Sequence, residues 1–325
     1  MTSKVLITGG LGFIGSFLAK RLVDRGCDVR IFDDVSRGSL EKIDGYENSM
    51  DIVEGDIRDL SAVEEAVRGI DTVFHFAAVN GTRHFYEEPD KVLEINVKGV
   101  IHALEASIAA KVQTFVFSSS SEIYYEAEHI PTPECERALI PDMTNPRFSY
   151  AGSKIIGELF CLNYGRMHNI RPIILRYHNV YGPDMGYDHV IPELFMKIET
   201  ATHDFQKKSA AIDLQGSGNE TRAFCFIEDA VEATLVCLEN AKKNEILHIG
   251  NDEEVKIGEL VRWMAEWFEI DLEVRKTPLR AGSTPRRCPD ITKLRSLGFE
   301  PRVKLREGLE RTLTWYREKS RQRVA

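Results

Sequence analysis

No segment of the 325-residue chain holds anything close to the roughly 18 consecutive apolar residues that a membrane-crossing helix requires. Nor does the N-terminus carry the charged stretch, apolar segment and cleavage site of a secretory leader; it runs straight into the apolar ValLeuIle of residues 5–7. The six cysteines (27, 135, 161, 225, 237 and 288) form no Cys-x-x-Cys pair and stand at no metal-like spacing to histidine. They read as reduced thiols, so the expectation is a cytoplasmic protein with no metal and no membrane partner. Basic charge is short too: 42 Lys and Arg against 51 Asp and Glu give a net charge of −9, which disfavours nucleic acid. The locally basic ArgGluLysSerArgGlnArg at 317–323 reads as a solvated helix end. Internal repeats and low-complexity segments are also missing. What is present is 43% hydrophobic, enough to bury a full core in one large or two medium domains.

Glycine is where the sequence first points to chemistry. ThrGlyGlyLeuGlyPheIleGly (8–15) lies between a short apolar strand at 4–8 and the apolar period of Phe13, Leu18 and Leu22, which reads as a helix. Gly9 permits the tight turn, Gly12 lets the backbone approach a pyrophosphate, and Gly15 allows helix and strand to pack closely. The helix N-terminus then faces the phosphates. Asp33 closes the second strand, 18 residues beyond Gly15. A carboxylate there binds the adenosine ribose hydroxyls and repels a 2′-phosphate. Arg37 argues for NADP and the adjacent acids Asp33 and Asp34 against it; the expected cofactor is NAD.

The second feature is SerTyrAlaGlySerLys, with Tyr150 and Lys154 one helical turn apart. A phenol ordinarily titrates near pH 10 and is a poor base at neutral pH, but a neighbouring ammonium stabilises the phenolate. Any long helix can carry this spacing by chance. Combined with the glycine fingerprint and the serine cluster around Ser120, it marks Tyr150 as a general base.

Apolar runs near 4–8, 28–33, 51–54, 72–76, 113–118 and 171–176 alternate with helical periodicity, the pattern of a doubly wound α/β fold with a parallel sheet. Long helices are expected from about 85 to 109 and from 149 to 167. After Gly182 and Pro183 the pattern loses regularity. The expected division is a Rossmann-type NAD-binding domain, 1–183 and 222–250 (a strand, a helix and LeuHisIleGly), and a smaller mixed lobe, 184–221 and 251–325.

On these residues the chain resembles the extended short-chain dehydrogenase/reductase family, in particular its NAD-dependent nucleotide-sugar epimerases, dehydratases and decarboxylases. GlyAspIleArgAsp (55–59) is similar to the family's adenine-contacting turn, which implies Asp56 and Ile57 at the base. PheHisPheAlaAla (74–78) resembles the strand end lining the cofactor, implying Phe76, Ala77 and Ala78, and Asn96 stands where the family has a helix asparagine. PheSerSerSerSerGluIleTyr (117–124) resembles the catalytic strand, with Ser120 at the active-site Ser/Thr. ArgTyrHisAsnValTyrGlyPro (176–183) resembles the nicotinamide-side wall, with Asn179 at the substrate diphosphate. The resemblance also implies cofactor contacts from Phe13, Ile14, Ser36, Arg37, Ser118, Tyr177, Asn179 and Val180. GlySerGlyAsnGluThrArgAlaPhe (216–224) and ArgArgCysProAsp (286–290) are similar to the family's nucleotide-diphosphate grip, implying Gly216, Arg222, Arg287 and Asp290. Guanidinium groups suit a diphosphate in any case, through paired charge-assisted hydrogen bonds. The family further implies a homodimer built on the two long helices.

In this reading Tyr150 takes a proton from a sugar hydroxyl at C4 while hydride leaves for NAD, with Lys154 and Ser120 assisting. The 4-keto sugar has acidic protons at C3 and C5. Glu122 lies two residues past Ser120, on the same strand face, and can take a proton from C5; the plainer role is a structural carboxylate under the loop. The tyrosine after Tyr124, Tyr125, and Ser121 both depart from the simple dehydratase pattern. The His178 segment is similar to that of GDP-mannose 3,5-epimerases, which would put His189 near an acid on the opposite sugar face. The first expectation is therefore an epimerase acting through a transient 4-keto intermediate. A 4,6-dehydratase, a UDP-glucuronate decarboxylase-like enzyme, a net 4-dehydrogenase and a non-catalytic NAD-sensing protein are the alternatives.

Overall fold

The computed structural model describes residues 3–279 and 282–324. Six strands follow one another with helices between them: β1 (Lys4–Thr8), β2 (Asp28–Asp33), β3 (Met50–Glu54), β4 (Thr72–His75), β5 (Thr114–Ser120) and β6 (Arg171–Tyr177). The strand Glu245–Ile249 joins them in a seven-stranded sheet whose order runs Glu245–Ile249, β6, β5, β4, β1, β2, β3. Every pairing in it is parallel. The doubly wound α/β architecture expected from the alternation is thus observed.

Alternation along the strands divides the core into two layers. Val5, Ile7, Val29 and Ile31 point to one face, with Leu18 and Leu22 of the helix Phe13–Asp24 and Ala230 and Ala233 of the helix Ile227–Asn240. Leu6, Phe32, Val73, Phe115 and Phe117 point to the other, with Val63 and Val67 of the helix Leu60–Val67 and Val100 and Leu104 of the helix Gly99–Ala109. Burial on both faces explains why these strands are continuous apolar runs. The strand order reverses between β1 and β4, so their carboxyl ends diverge and open a crevice at the sheet edge. Thr8, Asp33, His75, Ser120 and Tyr177 all end strands along that edge.

Three expectations need correction. β5 ends at Ser120, so Glu122 lies in the 3-10 turn Ser121–Tyr124 and not on the strand face expected for it. The helix expected from about 85 is broken: Thr82–Glu87 is a separate short helix, and a new one starts at Pro89. Proline cannot donate an N–H and disfavours helical geometry in the residue before it; Glu88 accordingly sits at φ −139° and ψ 49°. A π-turn at Glu94–Lys98 then interrupts the run before Gly99–Ala109 and turns Asn96 inward. The strand expected near 222 also does not enter the main sheet. Thr221–Ala223 pairs antiparallel with Glu254–Lys256 and parallel with Arg286–Arg287, forming a three-stranded sheet of its own. In that register Arg287 lies opposite Arg222. A further parallel pair, Ser209–Gln215 with Asp271–Thr277, stands beside it.

Candidate active site

The glycine turn has the geometry its residues suggest. Gly9 adopts φ +71°, and a Cβ there would lie 2.6 Å from the Ala77 nitrogen. A Cβ on Gly15 would lie 2.3 Å from the Gly9 carbonyl oxygen, so only glycine lets the helix start this close to the strand. Gly12 caps the helix Phe13–Asp24 without using a side chain, which leaves the first-turn N–H groups open toward the crevice. Asp33 ends β2 with both oxygens engaged: Oδ2 accepts from Leu11 N and Oδ1 from Val35 N, each at 2.9 Å. Burial raises its pKa and these two backbone donors oppose the rise. The carboxylate thus shapes the loop and still has lone pairs left for a ribose hydroxyl.

Two connected hollows follow the crevice. The smaller, about 110 Å³, is lined by Asp33, Asp34, Ser36, Ile57, Ala77 and Ala78, which set carboxylates and a hydroxyl beside apolar side chains. The larger, about 370 Å³, runs from Gly12, Phe13, Ile14 and Gly15 past Phe76 to Ser118, Tyr150 and Lys154, with Tyr177, Asn179 and Val180 on its far wall. A glycine-lined cradle that a Cβ would fill, an open helix start and an acid at the second strand end fit a dinucleotide. Arg37 does not stay with Asp33 and Asp34. It reaches across the hollow toward Asp188, 3.9 Å away, and lines both spaces.

Tyr150 and Lys154 lie on the helix Phe148–Met167, both buried, with the phenol ring stacked on Phe85 at 5.0 Å. Lys154 Nζ donates to the Ser118 carbonyl at 2.6 Å and sits 5.6 Å from the Tyr150 ring centre. Burial lowers Lys154 to about 7. Burial raises Tyr150, while the neighbouring Ser120 hydroxyl and Arg37 act against that rise and Glu122 adds to it. Ser120 Oγ accepts from Glu122 N at 3.2 Å as β5 passes into a single 3-10 turn, leaving its O–H free to donate.

Glu122 faces a further cavity of about 430 Å³ whose walls include Arg147, Arg222, Arg287, Asn179 and His189. Its Oε1 accepts from Arg287 Nη1 at 2.6 Å and its Oε2 from Arg147 Nη2 at 3.5 Å. Burial alone would raise the carboxyl; Arg287 and Arg147 outweigh it and bring the pKa to about 2. Arg222 donates to the carbonyls of Thr221 and Thr284, and burial, reinforced by Arg287, lowers it to about 10. His189 precedes the helix Val190–Ala201 and is kept neutral by burial and by Arg37. Glu122, His189, Asn179 and Arg287 line both this cavity and the dinucleotide hollow.

Four expected contacts fall outside these walls. Asp290 spends its carboxylate on Thr292 N at the start of the helix Thr292–Ser296, and its carbonyl accepts from His248 Nδ1 at 2.9 Å. Asn96 clamps the loop after β4: its Oδ1 accepts from Val79 N, and its Nδ2 donates to Val79 O and Ser153 Oγ. Asp56 pairs with Arg58 at the surface beside Ile57. Gly216 sits against the Glu220 carboxylate, 2.7 Å from where its Cβ would be, one residue after the lining Gln215.

Three side chains were not picked out from the sequence. Arg147 stands one turn before Tyr150 at the start of the same helix, and nothing in the local pattern distinguishes it from a surface arginine. Glu158 and Arg176 form a buried bidentate pair at 2.8 and 2.6 Å. Glu158 also accepts from Ser119 Oγ at 2.5 Å, while Arg176 donates to Tyr124 OH at 2.6 Å. Tyr124 OH meets His248 Nε2 at 2.6 Å. Burial keeps His248 neutral near pH 7, so with Nδ1 donating to a carbonyl its Nε2 accepts from Tyr124 OH. Glu158 lies four residues past Lys154, but its partners Arg176 and Ser119 stand on other elements, which local spacing does not show.

Comparison with known proteins agrees with this arrangement. The family model described as "NAD dependent epimerase/dehydratase family" matches residues 5–250. A UDP-N-acetyl-alpha-D-glucosaminuronate decarboxylase from Bacillus cytotoxicus is 32% identical over 98% of this chain and 99% of its own. The crystal structure of a UDP-glucose 4-epimerase from Thermotoga maritima, with UDP-glucose, superposes with a TM-score of 0.86 at 28% identity, covering 98% of this chain and 99% of that one. A dTDP-glucose 4,6-dehydratase from Streptomyces venezuelae, with NAD bound, superposes with a TM-score of 0.87 at 27% identity and 98% coverage of both chains. With its glycine cradle, its Ser120, Tyr150 and Lys154 cluster and its full-length likeness to these enzymes, the chain belongs to the NAD-dependent epimerase/dehydratase family.

Proposed function

We propose that the protein is an NAD-dependent nucleotide-sugar epimerase that works through a transient 4-keto sugar. One observation carries the reading: Tyr150, with Ser120 beside it and Lys154 one turn on, stands where the glycine-lined hollow meets a cavity whose walls include Arg147, Arg222 and Arg287. Gly12, Phe13, Ile14, Asp33, Ser36, Ala77 and Lys154 would hold the cofactor. Bound NAD supplies a hydride acceptor and, on the return, a hydride donor. Tyr150 takes the proton of the C4 hydroxyl as that carbon loses hydride, and Ser120 donates to the same oxygen. Return of proton and hydride to the opposite face of the ketone gives the epimer, so atoms and electrons balance with no co-substrate. Lys154, partly neutral near pH 7 in the open site, gains a stabilising partner when Tyr150 ionises.

Arg222 and Arg287 suit the diphosphate, and Glu122 and His189 flank the sugar. A second reading, removal of a carboxylate or of water from the same 4-keto sugar, is favoured by the Glu122–Arg287 pair at the junction of the two cavities and by the decarboxylase relative. Exposed Leu159 and Met167 on the catalytic helix support a homodimer. Incubation with UDP-, GDP-, CDP- and dTDP-sugars, following product mass and NADH absorbance together, tests the proposal. A product of unchanged mass with no lasting NADH is expected; loss of water or carbon dioxide, or stable NADH, overturns epimerisation.

A further inference from the structure

We infer that Arg147 is an anion-binding residue of the substrate site, and that Glu122 holds Arg147 and Arg287 in place until the diphosphate of the substrate takes them over. The inference rests on the nucleotide-sugar reading above and adds to it a residue and an exchange of partners.

The three arginines near Glu122 in the cavity, Arg147, Arg222 and Arg287, are not equivalent. Arg222 has both terminal nitrogens on backbone carbonyls of its own small sheet and the loop beside it, a fixed arrangement. Arg287 has one nitrogen on Glu122, one on Thr284 Oγ1 at 3.2 Å, and a buried Nε without a protein partner among the described residues. Arg147 is the least satisfied. A guanidinium has five N–H donors, yet among the described residues this one meets only Glu122 Oε2, at 3.5 Å, with the side chain 11% exposed. Its stem, in contrast, is tightly placed: a Cβ on Gly282 would lie 2.7 Å from Arg147 Cδ, and Gly282 holds φ +83° to pass so close. The head is therefore aimed into the cavity by a fixed stem and given a poor partner.

Charge leads to the same conclusion. Glu122 neutralises one of Arg147, Arg222 and Arg287, which leaves an excess of two positive charges around it; over the whole cavity wall, Arg83 and Lys197 face Asp188, Glu193 and Glu220, and the excess is one. The pyrophosphate of a sugar nucleotide carries two negative charges and offers the planar, bidentate oxygen pairs that guanidinium groups match best. Glu122 is an internal anion on the same donors. When the diphosphate arrives, the arginines exchange a carboxylate for phosphate oxygens, and Glu122 is released beside the sugar, where a carboxylate freed of its cations is a stronger base.

Calorimetric titration of the cofactor-loaded protein with UDP, GDP, CDP and dTDP tests this, comparing wild type with Glu122→Gln and Arg147→Gln. Glutamine keeps the size of glutamate and one acceptor oxygen, and removes its charge and its second acceptor. The diphosphate that binds wild type is expected to bind Glu122→Gln about tenfold more tightly, equivalent to roughly 1.4 kcal/mol, and Arg147→Gln at least about fivefold more weakly. Equal affinity in Glu122→Gln overturns the placeholder role, and equal affinity in Arg147→Gln overturns the assignment of that residue. A wild type that binds none of the four overturns the nucleotide-sugar reading itself, a separate failure. Should Arg147→Gln not fold, Arg147→Lys keeps the charge but loses the fork; affinity equal to wild type in that variant overturns bidentate recognition.

Discussion

Replacing His178 by phenylalanine should flatten the acid sensitivity of the protein by a calculable amount. His178 is fully buried, packed edge-on against His248 at 4.6 Å, and neither ring nitrogen has a protein hydrogen-bond partner among the described residues. Burial, with His248, Arg287 and Arg176 nearby, holds its pKa well below 6.5. His75 is brought to about 3 and His248 to about 4 by the same burial. The sign follows from linkage. Below pH 6.5 the unfolded chain binds a proton at each histidine while the folded chain does not, so stability falls as pH falls, until the folded pKa is reached. Between pH 7 and pH 5 each such histidine removes about 2 kcal/mol, and the three together roughly 5–6 kcal/mol, a large part of a typical 5–15 kcal/mol. Carboxylates held low by arginine, such as Glu122, add their loss only below about pH 4.5. Phenylalanine does not titrate, and any overpacking strain it brings is the same at both pH values. Urea unfolding of wild type and His178→Phe at pH 7 and pH 5, at fixed NAD, should therefore show a pH-dependent loss smaller by about 2 kcal/mol in the variant. An identical loss in the two proteins would refute the claim that His178 is kept neutral by burial.

Other substitutions separate chemistry from scaffold. Tyr150→Phe should retain NAD and lose turnover by about 10²- to 10⁴-fold, the usual contribution of a positioned acid–base group; a single-turnover assay on the holoprotein checks it, and unchanged turnover removes Tyr150 as base. Gly15→Ala places a methyl 2.3 Å from the Gly9 carbonyl, so NAD affinity measured by fluorescence titration should collapse. Glu158→Gln leaves Arg176 buried without its charge partner, and urea unfolding should show a destabilisation of about 3–5 kcal/mol; a change under 1 kcal/mol would mean that the Tyr124 hydroxyl and the Glu134 carbonyl, to both of which Arg176 Nη1 also donates, suffice for the guanidinium.

The parts of this molecule that were legible in the sequence are those where local pattern and tertiary role coincide. A strand buried on both faces must be a run of valine, isoleucine and phenylalanine, and a turn that brings helix against strand must be glycine, so β1, β2 and the Gly9–Gly15 loop could be read directly. Tyr150 and Lys154 could be read because their relation is helical and local. Arg147 could not, since its significance comes from Glu122, 25 residues earlier and on another element. Asn96 was expected at the cofactor from the resemblance alone; a π-turn that no propensity signals turns its amide toward Val79. Asp290 follows a proline and opens a helix, and the capping demand of the backbone claimed its carboxylate.

The three-stranded sheet sets Arg287 directly opposite Arg222 on adjacent parallel strands. Like charges in register oppose the pairing of their own strands, so this sheet closes against a repulsion that an anion between the two guanidiniums would remove. Occupancy should therefore be written into the backbone as well as the side chains: amide protons of 221–223 and 286–287 should exchange with solvent markedly more slowly once a diphosphate is bound, while those of the seven-stranded sheet keep their rates. The sheet would then act as a gauge of its own ligand, with its cohesion rising and falling as the cleft fills and empties.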